Sequence, residues 1–192
     1  TSTATVSATD VIIQEPAVTT TKTFTVAGGD AGDVKTIQLV IAATSGSNYS
    51  PAYNVVTTDN LNSSGFEYVG NIVNSSGVAP TTSGESGGIV TFTYDQLNPG
   101  QSSTVRFDVR IRDTVQANST QPNTAPTQFT SMLGTPSGLT TYNALACERT
   151  GNTRDCGTTQ NDYTSSSTAN LTITNVSNTK SQVVTSEAHT TG

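Results

Sequence analysis

The chain has no tryptophan, one methionine, one histidine and two cysteines in 192 residues. Charged residues make up 11% and aromatic residues 6%. Each scarcity removes a class of chemistry. Nucleophilic catalysis by Ser–His or Cys–His needs an imidazole beside the nucleophile. The lone imidazole is His189, in a stretch that reads as linker. A carboxylate-pair glycosidase would want an aromatic platform for its sugar, and few rings are there to build one. Zinc is excluded by the lack of any Cys/His cluster, and redox chemistry by the lack of Cys-x-x-Cys spacing. The net charge of −6 and a pI near 4.5 leave no basic face for nucleic acid. No apolar run approaches the roughly 18 residues of a membrane-crossing helix, so no membrane insertion is expected. The chain is read as a non-enzyme without cofactors, structural calcium being the one candidate.

What is present is Thr, Ser, Asn and Gly, with Val, Ile, Leu, Tyr and Phe set among them in alternation. Hydrophobic content is only 32%, but the high net charge of a disordered chain is missing. Alternation predicts strands over Thr3–Ile13, Thr19–Val26, Val34–Ala43, Tyr53–Asp59, Phe66–Val73, Gly88–Tyr94, Thr104–Arg112 and Ser167–Val176. One or two more are expected between Thr124 and Met132, and residues 74–88 and 133–162 read as loops. Leu97-Asn98-Pro99-Gly100-Gln101 is a turn, with Pro fixing φ at the first central position and Gly supplying positive φ at the second. No segment sustains a 3.6-residue period. The expected fold is all-β, an immunoglobulin-like antiparallel β-sandwich. Arg106, Arg110 and Arg112 share one strand face, read as a solvated face that guards an edge.

The two ends resemble each other. Ser2-Thr3-Ala4-Thr5-Val6-Ser7-Ala8-Thr9-Asp10-Val11 aligns with Ser167-Thr168-Ala169-Asn170-Leu171-Thr172-Ile173-Thr174-Asn175-Val176, with five identities. The offset of about 165 residues is roughly one domain length. A tandem array supplies such copies naturally, the first closing one repeat and the second the next. The expected organisation is therefore a closing or donated strand over 1–14, a sandwich over 15–177, and the start of a following module over 178–192. The missing initiator Met and signal peptide fit a mature or excised piece.

A run of short motifs then occurs in order: Glu15-Pro16, Lys22, Ala31-Gly32-Asp33, Ala52-Tyr53-Asn54-Val55, Thr58-Asp59 and Leu97-Asn98-Pro99-Gly100-Gln101. Asp113-Thr114-Val115, Asn123-Thr124-Ala125, Ser131, Glu148-Arg149-Thr150-Gly151 and Asn161-Asp162-Tyr163 follow. Together they resemble the Ig-like "conserved repeat" modules strung along large bacterial surface and secreted proteins, whose usual pattern is EP, K, AGD, AYDV, TDTLP, LAPGQ. The sequence departs from that pattern at Asn54, where Asp is usual, and at Asn62, where Pro is usual. A Cys pair also stands in a loop that is usually rich in Gly and Ser. The resemblance implies an extracellular or cell-surface spacer or adhesive stalk without catalysis. Ig-like surface modules can carry a Lys–Asn isopeptide bond assisted by a buried acid. Lys22 is then the amine, with Asn123 and Asp113 as candidate partners, although alternation alone lets Lys22 face either way.

Three further sites are readable. Cys147 and Cys156 enclose a Gly151-Asn152 turn and predict a local disulfide, which implies an oxidising compartment. Asp30 and Asp33 offer two carboxylates on one turn for calcium, against the alternative of Asp side chains bonding their own backbone. Val6, Val11 and Ile13, or Leu171 and Ile173, could enter a neighbour's sheet by strand exchange. Three functions fit: a structural repeat stacked end to end, a filament, sheath or pilus subunit polymerised by strand exchange, and a glycan- or protein-binding adhesin module using the 133–162 loop. In the first two the partners are neighbouring copies of the same module.

Overall fold

Val105, Phe107, Val109 and Ile111 alternate with polar residues, and all four are buried. The same period-two pattern repeats from strand to strand and builds two layers. The structure, a computed structural model, describes residues 14–131 and 163–174 and the backbone of 149–150 and 153–154. One sheet contains β1 (Val18–Phe24), β2 (Val34–Ala43), β4 (Phe66–Gly77) and β7 (Ser102–Ile111), in the order β1-β2-β7-β4. The other contains β3 (Ala52–Asn60), β5 (Thr82–Ser86), β6 (Ile89–Leu97), β8 (Thr120–Thr130) and β11 (Tyr163–Thr172), in the order β11-β8-β3-β6-β5. Every strand pair is antiparallel. The two-residue strands β9 (Arg149–Thr150) and β10 (Thr153–Arg154) form a small hairpin of their own. A 3-10 turn over Leu61–Ser63 is capped by the Asn60 side chain. The expected all-β immunoglobulin-like sandwich is what the chain forms.

The core lies between the two inner faces. Ile37, Leu39, Ile41, Val105, Phe107, Val109 and Ile111 come from one sheet, and Val55, Val90, Phe92, Leu97, Leu171 and nearby Ile173 from the other side. Phe92 and Phe107 meet across the layers with ring centroids 6.2 Å apart. The Pro99-Gly100 turn forms as expected, with Gly100 at φ 84 and the Gln101 N–H bonded to the Asn98 carbonyl. Residues 74–88 are not one loop: β4 runs on to Gly77 and β5 follows. β4 stays paired to β7 only by shifting register three times, which breaks the alternation that would have revealed it.

The Arg106/Arg110 face is solvated as expected. Arg106 donates to Gln38, and Arg110 pairs with Glu67. It guards no edge, because β7 lies between β2 and β4. The edge strand needing cover is β1. It runs alongside β11 in the same direction, and its Thr20 and Lys22 N–H groups donate to the hydroxyls of Ser165 and Ser167, both at 3.0 Å. Side-chain oxygens on alternate residues of β11 thus replace a backbone ladder and close that side of the sandwich.

Candidate functional site

β1 presents Val18, Thr20 and Lys22 to the interior on alternate positions. A lysine in that phase is anomalous, because an ammonium group loses its water there. Lys22 is 3% exposed, and what receives it is equally buried: Asp59 at 0% and Asn123 at 3%. Alternation explains both partners. On β3 the inward phase is Val55, Thr57, Asp59, and on β8 it is Asn123, Ala125, Thr127, Phe129. The β3–β8 ladder ends at the Thr57–Thr127 pair, and Asp59 and Asn123 lie just past it. Lys22 Nζ reaches across from the other sheet and contacts both Asp59 Oδ2 and Asn123 Oδ1. Beside this trio, Thr20 donates to Thr127 at 2.7 Å, and Thr127 and Thr57 share a hydroxyl contact at 2.8 Å. These buried hydroxyls continue the polar seam and fix the phase of all three strands.

The electrostatics suit acyl chemistry. Burial pulls the Lys22 amine down to about 8, with Asp59 pulling back the other way. Burial likewise pushes the Asp59 carboxyl above its ordinary range, against the opposing influence of Lys22 and Asn123. Asp59 Oδ1 has no hydrogen-bond partner. A carboxylate with a bare buried oxygen is costly, whereas a protonated acid is far less so. The interior therefore weakens the charge of both groups and frees the amine from about pH 8 upward. The free amine is the form that can act as a nucleophile.

The other sequence-derived residues fall elsewhere. Asp113 is not the acid of this group. It sits exposed on the turn after β7, at the rim of a shallow cleft with Gly32, Glu67, Arg110 and Arg112. Asp59, the second residue of the quoted Thr58-Asp59 motif, holds the position instead, in phase with Val55 and Thr57 on β3. Asp30 and Asp33 are committed to their own turn. Asp30 Oδ1 accepts from the Ala31 N–H and Asp33 Oδ2 from the Asp30 N–H, while Lys35 pairs with Asp33 at 3.3 Å. The Asp30 N–H and Lys35 hold the Asp33 carboxyl below its usual value. Among the described residues no three metal-ligating side chains converge. Leu171 and Ile173 are both 1% exposed and pack within their own core. Cys147, Cys156, Val6, Val11 and Ile13 lie outside the described residues, although the β9–β10 hairpin falls inside the expected Cys-bounded loop.

No family profile and no curated protein matches the sequence. Among solved structures, the chain is similar to the full-length major pilin SpaD from Corynebacterium diphtheriae, with 16% identity, a TM-score of 0.45 and coverage of 59% of this chain and 30% of that one. It is similar to BcpA, the major pilin subunit of Bacillus cereus, with 11% identity, a TM-score of 0.48 and coverage of 82% and 39%. It is also similar to the sixth cohesin of scaffoldin B from Acetivibrio cellulolyticus, with 13% identity, a TM-score of 0.41 and coverage of 80% and 99%. The chain thus spans less than half the length of either pilin. At these identities the likeness is one of fold alone, an immunoglobulin-like sandwich. Among the described residues no helix is long and apolar enough to cross a membrane.

Proposed function

We propose that this chain is a non-enzymatic structural module of an extracellular, cell-surface protein, stacked end to end with its neighbours as a stalk or fibre and stapled internally by a Lys22–Asn123 isopeptide bond. One observation carries this: an amine, a carboxamide and an acid from three strands meet in a buried site that joins the two sheets. Nothing in a simple spacer requires such a group, and an unlinked buried lysine is a poor way to stabilise a thin core.

The chemistry balances. Lys22 Nζ, as the free amine, attacks Cγ of Asn123 while protonated Asp59 donates to the amide oxygen. Asp59 then takes the proton that Nζ sheds, passes it to Nδ2, and recovers the hydroxyl proton as the carbonyl re-forms. The Cγ–Nδ2 bond breaks, the Nζ–Cγ bond remains, and ammonia leaves. No oxidant, metal or external catalyst is needed. Intact mass of the reduced protein tests this: about 17 Da below the sequence mass is expected, and Lys22→Ala and Asp59→Ala variants should each show the mass of their unlinked sequence. A wild-type mass without the deficit would sink the cross-link.

The placement of Leu171 and Ile173 in their own core supports a covalent array over a filament polymerised by exchange of that strand. The surface location rests on the resemblance, on the expected disulfide and on the charge-poor Thr/Ser composition.

A further inference from the structure

Where β7 ends, the surface forms a cleft of about 280 Å³. Arg110, Ile111 and Arg112 run along it, and Asp113 and Thr114 close its end. Gly32, whose N–H bonds the Ile111 carbonyl, stands on one side, and Glu67, paired with Arg110 on β4, on the other. Arg110 and Arg112 share a face by alternation, but their fates differ. Arg110 pairs with Glu67 at 3.0 Å. Arg112 turns away from the strand, and its Nε donates to the Phe66 carbonyl at 2.7 Å while its own N–H bonds the Gly65 carbonyl at 2.9 Å. These bonds anchor the half-buried guanidinium by its Nε corner and leave Nη1 and Nη2 without a partner among the described residues. Arg106 and Arg110 each engage one Nη group, so Arg112 is the arginine of β7 and its following turn whose fork stays idle. The carboxylates nearby do not fill it. Glu67 is taken by Arg110, and Asp30 and Asp33 by their own turn and Lys35. Asp113 stands exposed at the rim and forms no ion pair with either arginine. A partly desolvated cation with unused donors is costly until an anion takes them.

We infer that this cleft binds the side-chain carboxylate of an acidic peptide, received by Nη1 and Nη2 of Arg112 with the Thr114 hydroxyl beside them. The unused donor is a planar fork, and a carboxylate presents two oxygens at the matching spacing. The volume lies at the lower limit, roughly 300 Å³, of pockets that take small molecules, which suits one short side chain. A phosphate would use the same fork, but the Asp113 charge at the rim opposes a dianion more strongly than a monoanion. The surroundings choose peptide over acidic sugar. No lining residue is aromatic, so the apolar face of a sugar ring finds nothing to stack on. The apolar neighbours are aliphatic instead. Val34 lies beside Arg110 in the β2–β7 register and is 50% exposed, so it offers cover to an aliphatic residue flanking the acid.

The test follows the Arg112 Nε–H and the backbone amide resonances of the full chain by NMR. The probe is the blocked peptide acetyl-Val-Glu-Val-amide, whose only charge is the side-chain carboxylate. Saturable shifts are expected at Arg112 Nε–H and the Thr114 N–H, and none with the twin acetyl-Val-Gln-Val-amide. Arg112→Gln should weaken binding about 10- to 100-fold, the scale of hydrogen bonds to a charged group. That variant also loses the bond to the Phe66 carbonyl, so Thr114→Glu serves as the second. It leaves that bond in place, brings its own carboxylate to the fork and should block the probe. Asp113→Asn removes a like charge from the rim and should tighten binding. No saturation by about 10 mM peptide, equal shifts with the Gln twin, or unchanged binding in Thr114→Glu would each overturn the inference. Glucuronate and inorganic phosphate are the remaining arms, and tighter binding of either at the same resonances would overturn the peptide assignment. None of these outcomes bears on the cross-link, because Lys22, Asp59 and Asn123 are buried between the sheets and line no part of the cleft.

Discussion

Lys22 is held where its charge is costly, buried between Asp59 and Asn123. Without Asn123 the buried amine loses one hydrogen-bond acceptor, a change of about 1–3 kcal/mol. Asn123→Ala should therefore lower the unfolding midpoint in denaturant while leaving the fold recognisable. In that variant the unlinked amine also makes stability depend on pH. The folded pKa of Lys22, about 8, lies below its ordinary value of 10.5. The unfolded chain thus binds more protons over that window, and stability should rise with pH from about 8 to 10.5. Asp59 acts in the opposite sense. Its raised pKa stabilises the fold at low pH, and that contribution fades as pH climbs through the folded value. Urea titrations of Asn123→Ala at several pH values check both signs. In the wild type the free amine is the nucleophile, and burial lowers the Lys22 pKa to about 8, so the rate of cross-linking in freshly translated protein should rise as pH climbs through that value. A mass-resolved time course at pH 7 and pH 9 would show it.

Lys22 is legible in the sequence as a lysine in mid-strand, although alternation alone lets it face either way, and Asn123 is reached only through the resemblance to Ig-like modules. The acid was misplaced because Asp113 follows the cleanest strand of the chain, whereas Asp59 has to be found by counting phase from Val55. Sequence spacing locates side chains on a face, but the meeting of faces from β1, β3 and β8 is a property of sheet order.

At the scale of elements, β8 and β11 carry the closing of the sandwich. The strand β8 was hard to see because Pro122 and Pro126 interrupt it, and a proline cannot donate to a ladder. The structure accommodates them by pairing β8 with β11 over its length but with β3 only from Thr127 onward. That early parting leaves Asp59 and Asn123 unpaired between β3 and β8, although Asp59 pairs with Val90 and Asn123 with Ala169 on their other sides, and both side chains meet Lys22. Within β11, Leu171→Ala should cost about 2–5 kcal/mol, as expected for a fully buried leucine. Ser167→Ala leaves the Lys22 N–H without an acceptor and should cost about 1–3 kcal/mol. Thermal or chemical unfolding of each variant checks these values. The bulged strand β4 has its own constraint at Gly77, which sits at φ 77 with the Ser102 carbonyl 2.0 Å from where a Cβ would be. Gly77→Ala should destabilise by about 1–3 kcal/mol or more, since backbone rather than a flexible side chain blocks it.

For the whole molecule, the division of charge is informative. Arg106, Asp108 and Arg110 lie along β7, while the outer positions of β8 and β11 are Thr, Ser, Asn, Gln and Pro. The fold class followed from strand alternation and turn chemistry, because each strand reports its own buried face. Strand order did not follow, because it depends on which edges find cover. Ser165 and Ser167, which cover the β1 edge, look in the sequence like any other serines of a Ser-rich run. The Asp30–Asp33 turn satisfies its own carboxylates, so a chelator such as EDTA is expected to leave the melting temperature unchanged. A downward shift would restore a calcium role for those residues.

The parallel course of β1 and β11 has a mechanical consequence. Tension applied through the chain at either end of the module would drag these two strands past each other lengthwise, so that all their contacts resist at once and none peels first. Once Nζ of Lys22 is bonded to Asn123, the load passes from β1 straight into β8, and residues 23–122 are short-circuited out of the tensile path. Even a torn module would then lack about 100 residues of extension, roughly 35 nm of contour length. In single-molecule pulling, that length should be absent from the wild type and reappear in Lys22→Ala. A module linked in this way would behave as a rope with a welded splice, in which most of the chain never feels the pull.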